Sequence, residues 1–186
     1  MGLEKALSDS SCVSVRVPYL NWSTFIDIRV KFDRDSSTYN ISRCKRVLLF
    51  SLMIGHSLGF SDNDLNALAA AVCLHDAKRQ NDGIDPGHGK RAAALYMEMC
   101  CNMQLVFDKR SYLALKYHDL DDCEAIKLIA ADMPSDKRAI QIYKIVKDAD
   151  MLDEVKDDDK DEAVFERLRT ESAKSMVKFA KQFFAA

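Results

Sequence analysis

Leu65-Asn-Ala-Leu-Ala-Ala-Ala-Val-Cys-Leu74 is an apolar run that leads directly into His75-Asp76. It is rich in alanine and apolar on nearly every side, a pattern typical of a central helix packed by several neighbours. Ser61 predicts the start of this helix, because its hydroxyl can cap free backbone amides. A buried carboxylate without a partner costs roughly several kcal/mol, so Asp76 predicts a cation or a hydrogen-bond network beside it.

The composition favours a single, mostly helical domain. The chain has 186 residues, of which 48% are hydrophobic, with only three prolines and six glycines. Such a chain is long enough to bury a good core, and its helix formers favour helices over a sheet sandwich. The net charge of -2 gives no broad basic surface for a nucleic acid polymer or a membrane. The longest strongly apolar stretch, 47–54, is too short to span a bilayer.

The cysteines indicate a reducing compartment. None of the six belongs to a CxxC pair, and several fall on predicted apolar helix faces. We therefore expect reduced thiols in a cytoplasmic protein rather than a disulfide framework, and the sequence shows no secretory leader. The cysteines are Cys12, Cys44, Cys73, Cys100, Cys101 and Cys123.

The remaining helices follow from apolar periodicity and from turn residues. A dense set of turn formers predicts a loop over 77–87, and a polar connection is expected over 157–161. Helices are predicted over 41–58, 61–75, 88–101, 109–118, 121–131, 136–147 and 162–184.

The first 39 residues differ from the rest of the chain. Val13, Val15 and Val17 alternate with polar residues, and this alternation predicts a short extended segment or strand. The sequence thus indicates a compact helical bundle over 40–186, a single globular unit, with an N-terminal extension of uncertain structure over 1–39.

Three of the four histidines stand where predicted helices end or begin, so they are candidate metal ligands. His75 and Asp76 are consecutive, His88 opens a helix, and His118 ends another. A late acidic run that contains Asp150 adds carboxylates, and imidazole with carboxylate is a ligand set for a divalent ion. The alternatives are a hydrogen-bonded His-Asp pair at a helix end, a helix-starting His88 and a surface His118.

These elements occur in an order that resembles the HD superfamily of metal-dependent phosphohydrolases. The resemblance spans about 40–155, and it is fairly specific because the His-Asp pair is combined with the later acidic motif. The motifs that carry it are Arg46-Val47, Leu58-Gly59, Ala71-Val-Cys-Leu-His-Asp-Ala-Lys-Arg79, Asp85-Pro-Gly-His-Gly89, Tyr117-His118 and Lys147-Asp-Ala-Asp-Met-Leu-Asp153.

The resemblance implies an HD-domain helical bundle and roles for particular residues. His75, Asp76 and Asp150 correspond to ligands of a divalent ion (Mn, Fe, Co, Mg or Zn) that activates water, while His88 and His118 resemble the histidines of a second metal or phosphate site. Asp76 and His88 are the candidate catalytic residues. Arg79 and Lys90 are candidates for binding the phosphate of a nucleotide or another small phosphate ester.

One departure from the family pattern is serious. The family usually has a histidine about thirty residues before the His-Asp pair, and Arg43 stands there instead. Arginine stays protonated and offers only donors, so it cannot ligate a cation. His56 lies roughly 20 Å further along the same helix, too far to replace it. Arg43 is instead a candidate to point its guanidinium at a bound phosphate.

The resemblance leaves two alternatives to a phosphohydrolase, the first because of Arg43 and the second because relatives with extra histidines exist. One is a degenerate HD-domain protein that binds a nucleotide or a protein partner without catalysis. The other, which the sequence favours less, is a di-iron oxygenase built on the same helical scaffold.

Overall fold

The computed structural model describes residues 3–34, 36–155 and 161–184. These residues form a compact bundle of helices and contain no strand, which confirms the prediction of a mostly α fold. A 3-10 helix spans Ser10–Val15, and the α-helices are α1 (Leu3–Ser8), α2 (Arg16–Arg29), α3 (Ile41–Ser57), α4 (Asp62–Leu74), α5 (His88–Cys101), α6 (Lys109–Tyr117), α7 (Asp122–Asp132), α8 (Lys137–Leu152), α9 (Asp161–Arg167) and α10 (Glu171–Phe184). None of the described helices is long and apolar enough to cross a membrane.

Helix α4 is the central element, as its alanine-rich sequence predicts. Nine of its thirteen residues are buried, and α4 packs against α2, α3, α6 and α8. It begins with a capping box in which the Ser61 hydroxyl and the Asp64 carboxylate each bind the other residue's backbone amide. The helix carries His75 to its carboxyl end inside the bundle, and this places a polar pair in the core.

The predicted N-terminal strand is wrong. Val13 and Val15 lie in the 3-10 helix, and Val17 lies in the first turn of α2. Their alternation reflects partial burial instead, because Val15 is buried while Val13 and Val17 are exposed. Tyr19 and Ile26 of α2 then join the same core as α3 and α4.

The last two predicted helices also differ from the observed ones, the first in its end and the second in its continuity. Helix α8 continues to Leu152, five residues beyond the predicted end, and so carries the acidic run within its last turns. The single helix predicted over 162–184 is two helices, α9 and α10, separated by residues 168–170. The polar connection is predicted over 157–161. Residues 157–160 lie outside the described residues, and 161 is the first residue of α9. All six cysteines are free thiols, three of them buried.

Asp148 of α8 holds the turn between α9 and α10. Its side chain is fully buried and accepts hydrogen bonds from the backbone amides of Arg169 and Thr170, at 2.9 Å each. The Thr170 hydroxyl donates to it at 2.8 Å, and the Arg169 guanidinium lies at 3.3 Å. This network explains the break in the predicted helix, because the two amides point at the carboxylate of α8.

We expect Asp148→Ala to lower the free energy of unfolding by about 2 to 3 kcal/mol, because it removes a charged acceptor from several buried donors. Urea unfolding measures the effect, and Glu98→Ala, which removes an exposed carboxylate from α5, is the control. Equal unfolding free energies for the two variants would contradict the anchoring role of Asp148.

Candidate metal centre

Four helix ends meet at one place in the bundle. His75 follows the last residue of α4, His88 is the first residue of α5, and His118 follows the last residue of α6. Asp150 lies in the last turn of α8. The structure thus brings together His75, Asp76, His88, His118 and Asp150, which are the residues that the sequence singled out as ligands.

The three histidines are held in the same way. In each ring Nδ1 lies 2.7 Å from the backbone carbonyl oxygen of the residue three positions earlier, which fixes this nitrogen as the donor. The pairs are His75 with Val72, His88 with Asp85 and His118 with Leu115. Each Nε2 is therefore directed inward, and a neutral imidazole with this tautomer offers its Nε2 lone pair to a metal ion.

The inward atoms form two overlapping groups that share Asp76. We call Asp76, His88 and His118 the histidine cluster, and His75, Asp76 and Asp150 the aspartate cluster. Within each cluster, one ligand atom from every residue lies within 4.8 Å of the others. Asp76 is the only residue that belongs to both clusters, so it is the centre of the site.

The histidine cluster contains polar atoms without partners. His118 Nε2 and Asp76 Oδ2 are buried and have no hydrogen-bond partner among the described residues. Asp76 Oδ2 lies 3.1 Å from His75 Nε2, the distance of an ion pair when His75 is protonated, and His88 Nε2 lies 3.7 Å from Asp76 Oδ1. The rings of His88 and His118 are 4.6 Å apart between centroids. Two buried imidazoles beside a buried carboxylate, with His118 Nε2 lacking a hydrogen-bond partner among the described residues, fit a cation.

The aspartate cluster differs, because a guanidinium already contacts it. Arg43 Nη2 donates to Asp150 Oδ1 at 2.7 Å, and the same oxygen lies 3.4 Å from His75 Nε2. Arg43 Nη1 donates to Asp153 Oδ2 at 3.0 Å. The Arg46 guanidinium binds both oxygens of Asp153 from the other side. Arg43 therefore lies beside the ligands, although it cannot be one.

Burial and neighbouring charges set the protonation states. Burial, together with His75 and His88, lowers the pKa of His118 to about 4, and burial also lowers the pKa of His88. Burial disfavours a charged His75, but Asp76 and Asp150 outweigh it and raise its pKa well above the usual value. Burial would raise the pKa of Asp150, yet Arg43 and His75 hold it at about 2. Near neutral pH, His88 and His118 are thus neutral and have free lone pairs.

Two polar groups near the clusters escaped the sequence analysis. Tyr39 packs its ring against the guanidinium of Arg79, whose central carbon lies 4.0 Å from the ring centroid. Arg79 Nε in turn donates to Asp76 Oδ1 at 2.7 Å. Asp119 accepts from the backbone amide of Gly87 at 2.7 Å and keeps its other oxygen buried without a partner among the described residues. A second His-Asp dipeptide, His118-Asp119, was the signal in the sequence for this group.

Gly89 explains why glycine follows His88. A Cβ added to Gly89 would lie 2.7 Å from the backbone oxygen of Leu115 and 2.5 Å from Asp119 Oδ1. These distances are well below van der Waals contact, so only glycine allows α5 to approach α6 this closely. The close approach brings His88 to His118.

We expect Gly89→Ala to push α5 away from α6, which would lower the free energy of unfolding by about 1 to 3 kcal/mol and separate His88 from His118. Urea unfolding in EDTA and Mn²⁺ titration measure the two effects. Gly83→Ala is the control, since a Cβ there would meet its nearest atom at 3.5 Å. Unchanged metal affinity in Gly89→Ala would contradict this role of the glycine.

Two cavities open on the clusters. One of about 280 Å³ is lined by the histidine cluster, Arg79, Asp119 and residues of the loop before α5. The other, of about 190 Å³, is lined by His75, His118 and Asp150 and by three basic residues, Lys147, Arg167 and Arg169. The larger of the two has one guanidinium among four carboxylates, those of Asp76, Asp85, Asp119 and Asp150, and so suits a cation. In the smaller one the three basic residues outnumber Asp150 and Glu154, which suits an anionic molecule.

Other sequence candidates lie away from these cavities. Lys90 is exposed on α5 and lines neither cavity. His56 is also exposed, and its Nδ1 lies 3.5 Å from the hydroxyl of Ser14. A larger cavity of about 530 Å³ is lined by Trp22, Tyr96 and Phe107 among others, and none of the candidate ligands borders it.

Comparisons of the chain with protein-family models, with curated proteins and with solved structures found no match.

Proposed function

We propose that this protein is a metal-dependent phosphohydrolase of the HD type that acts on a nucleotide or another small phosphate ester. One observation carries the proposal: in the histidine cluster, His118 Nε2 and Asp76 Oδ2 are buried and have no hydrogen-bond partner among the described residues. Buried polar atoms are nearly always paired, so such a pair is expected to bind a ligand that donates positive charge. The motif order of the sequence supports phosphate chemistry at this site.

Some groups of the chain would hold a metal ion, and others orient the side chains that hold it. His88, His118 and Asp76 would hold a divalent ion, which when bound lowers the pKa of a water molecule and polarises a phosphoryl oxygen. The carbonyl oxygens that accept from each Nδ1 keep the imidazoles in the tautomer that ligation requires.

Positive charge on both sides of the clusters would bind the phosphate. Arg79 lines the cavity of about 280 Å³, where Tyr39 holds its guanidinium in place. Lys147, Arg167 and Arg169 line the cavity of about 190 Å³, where Lys147 and Arg169 also pair with Asp122. Guanidinium and ammonium groups at the edge of a metal site favour a phosphate over an uncharged ester.

The test is hydrolysis of a panel of phosphate compounds by protein loaded with Mn²⁺, Co²⁺, Fe²⁺, Mg²⁺ or Zn²⁺. The panel contains nucleoside mono-, di- and triphosphates, p-nitrophenyl phosphate and bis-p-nitrophenyl phosphate. We expect release of phosphate or alcohol that EDTA abolishes and that added metal restores. Absence of turnover with every metal and every substrate would contradict the proposal.

The pair of Arg43 with Asp150 favours a second candidate function, binding of a nucleotide without catalysis. Arg43 neutralises one ligand carboxylate at 2.7 Å, and loss of a ligand weakens a metal site. Nucleotide affinity that is measurable by calorimetry, together with no hydrolysis and no bound metal, would support this alternative.

A further inference from the structure

We infer that the site takes one divalent ion for each chain, in the histidine cluster, and that the guanidinium of Arg43 occupies the place of a cation in the aspartate cluster. The inference rests on the proposed function in one respect, namely that a metal ion binds at Asp76. It goes further by assigning the two clusters different cations.

The histidine cluster is the one prepared for an ion. It offers the Nε2 atoms of His88 and His118 and a carboxylate oxygen of Asp76, and all three residues are at least nine-tenths buried. His118 Nε2 and Asp76 Oδ2 have no hydrogen-bond partner among the described residues, although Asp76 Oδ2 lies 3.1 Å from His75 Nε2. Arg79 also contacts this cluster, since its Nε donates to Asp76 Oδ1 at 2.7 Å, but its side chain is 16% exposed and its other hydrogen bond goes to the backbone oxygen of Gly83. Unlike Arg43, it is tied to no second carboxylate among the described residues. Imidazole and carboxylate ligands of this kind suit Mn²⁺, Fe²⁺, Co²⁺ or Zn²⁺.

The aspartate cluster already has its positive charge. The carboxylate of Asp150 accepts from Arg43 at 2.7 Å, and the Arg43 side chain is only 6% exposed. The backbone oxygen of Asp150 also lies within 3.4 Å of Arg43 Nη2. A metal ion bound to the same carboxylate would lie a few ångströms from a fixed positive charge in a buried site, and such a contact is strongly repulsive.

Arg43 cannot easily turn away to admit an ion. Its other amino group donates at 3.0 Å to Asp153, whose side chain is completely buried. Asp153 is fixed in turn by Arg46, whose Nε donates to it at 2.6 Å. Moving Arg43 out would break its pairs with Asp150 and Asp153 and leave its own buried charge without partners, which is costly. The guanidinium is therefore a permanent member of the aspartate cluster.

Counting bound ions tests the inference. Full-length protein is stripped with EDTA, dialysed against Mn²⁺ and analysed for metal, with affinities from Mn²⁺ titration. We expect one ion for each chain in the wild type. His118→Ala should weaken the affinity by about 100-fold or more, because it removes a ligand. Asp150→Asn should change it by less than about fivefold, since the amide oxygen still accepts from Arg43.

Two variants of Arg43 form a matched pair. Arg43→Lys keeps the positive charge and should still bind one ion, whereas Arg43→His replaces it with a ligand and should bind two. Circular dichroism checks that each variant is folded. A folded Arg43→His that binds one ion would contradict the role assigned to Arg43. If that variant does not fold, the wild-type count and the comparison of His118→Ala with Asp150→Asn decide the question.

The outcomes separate this inference from the proposed function. Two ions in the wild type, or equal losses of affinity in His118→Ala and Asp150→Asn, would overturn the inference but leave a metal-dependent enzyme. Absence of bound Mn²⁺, Co²⁺ and Zn²⁺ from the wild type would overturn both.

Discussion

Asp76→Ala is expected to remove bound metal and to abolish hydrolysis. Asp76 is the only residue shared by both clusters, and one of its oxygens is buried without a partner among the described residues. Loss of this carboxylate should weaken metal affinity by about 100-fold or more. Hydrolysis should fall by about 1000-fold or more, which corresponds to about 4 kcal/mol in activation free energy. Metal analysis and the rate with the best substrate of the panel measure the two effects.

Asp27→Ala is the control for Asp76→Ala. It removes an aspartate whose side chain is half exposed on α2 and which pairs with Lys45. Metal content and rate should stay at the wild-type level in this variant. Wild-type metal content in a folded Asp76→Ala protein would contradict the location of the site.

Arg43→Ala is expected to cause the largest loss of stability, about 3 to 5 kcal/mol in the free energy of unfolding. The guanidinium is paired with Asp150 at 2.7 Å and with the fully buried Asp153 at 3.0 Å, and it links α3 to α8. Removing it leaves Asp150 without a guanidinium and Asp153 with Arg46 alone. Urea unfolding measures the change, and EDTA is included so that no metal ion replaces the lost charge.

Arg29→Ala provides the comparison, because Arg29 is exposed in the last turn of α2. Its effect should stay within about 0.5 kcal/mol. Adding Mn²⁺ should restore part of the stability of Arg43→Ala, since the vacated carboxylates then bind an ion. A loss no greater than that of Arg29→Ala would show that the buried ion pair contributes little to the fold.

Local patterns in the sequence were sufficient for most of the helices. The capping residues at Ser61 and the apolar run that follows predict α4, and turn formers before His88 predict the start of α5 at the observed residue. These signals succeed because caps and periodicity act over a few residues. The alternating valines before Pro18 led to the wrong prediction of a strand, because their burial is decided by contact with the distant helix α3.

The site could be predicted only in part. The histidines stand at predicted helix ends, and the bundle brings them together as the sequence order suggested. The partner of Arg43 could not be found from sequence, because Asp150 and Asp153 lie more than a hundred residues away and meet it only when α3 packs against α8. Tyr39 was missed for the same reason, since its role depends on the position of Arg79 in the folded chain.

Crystals grown with Mn²⁺ give the most direct measurement, the anomalous difference map at the manganese absorption edge. We expect one strong peak at bonding distance, about 2.0 to 2.3 Å, from the Nε2 atoms of His88 and His118 and from an oxygen of Asp76. A map without a peak in contact with either histidine would contradict a metal centre at this place in the bundle.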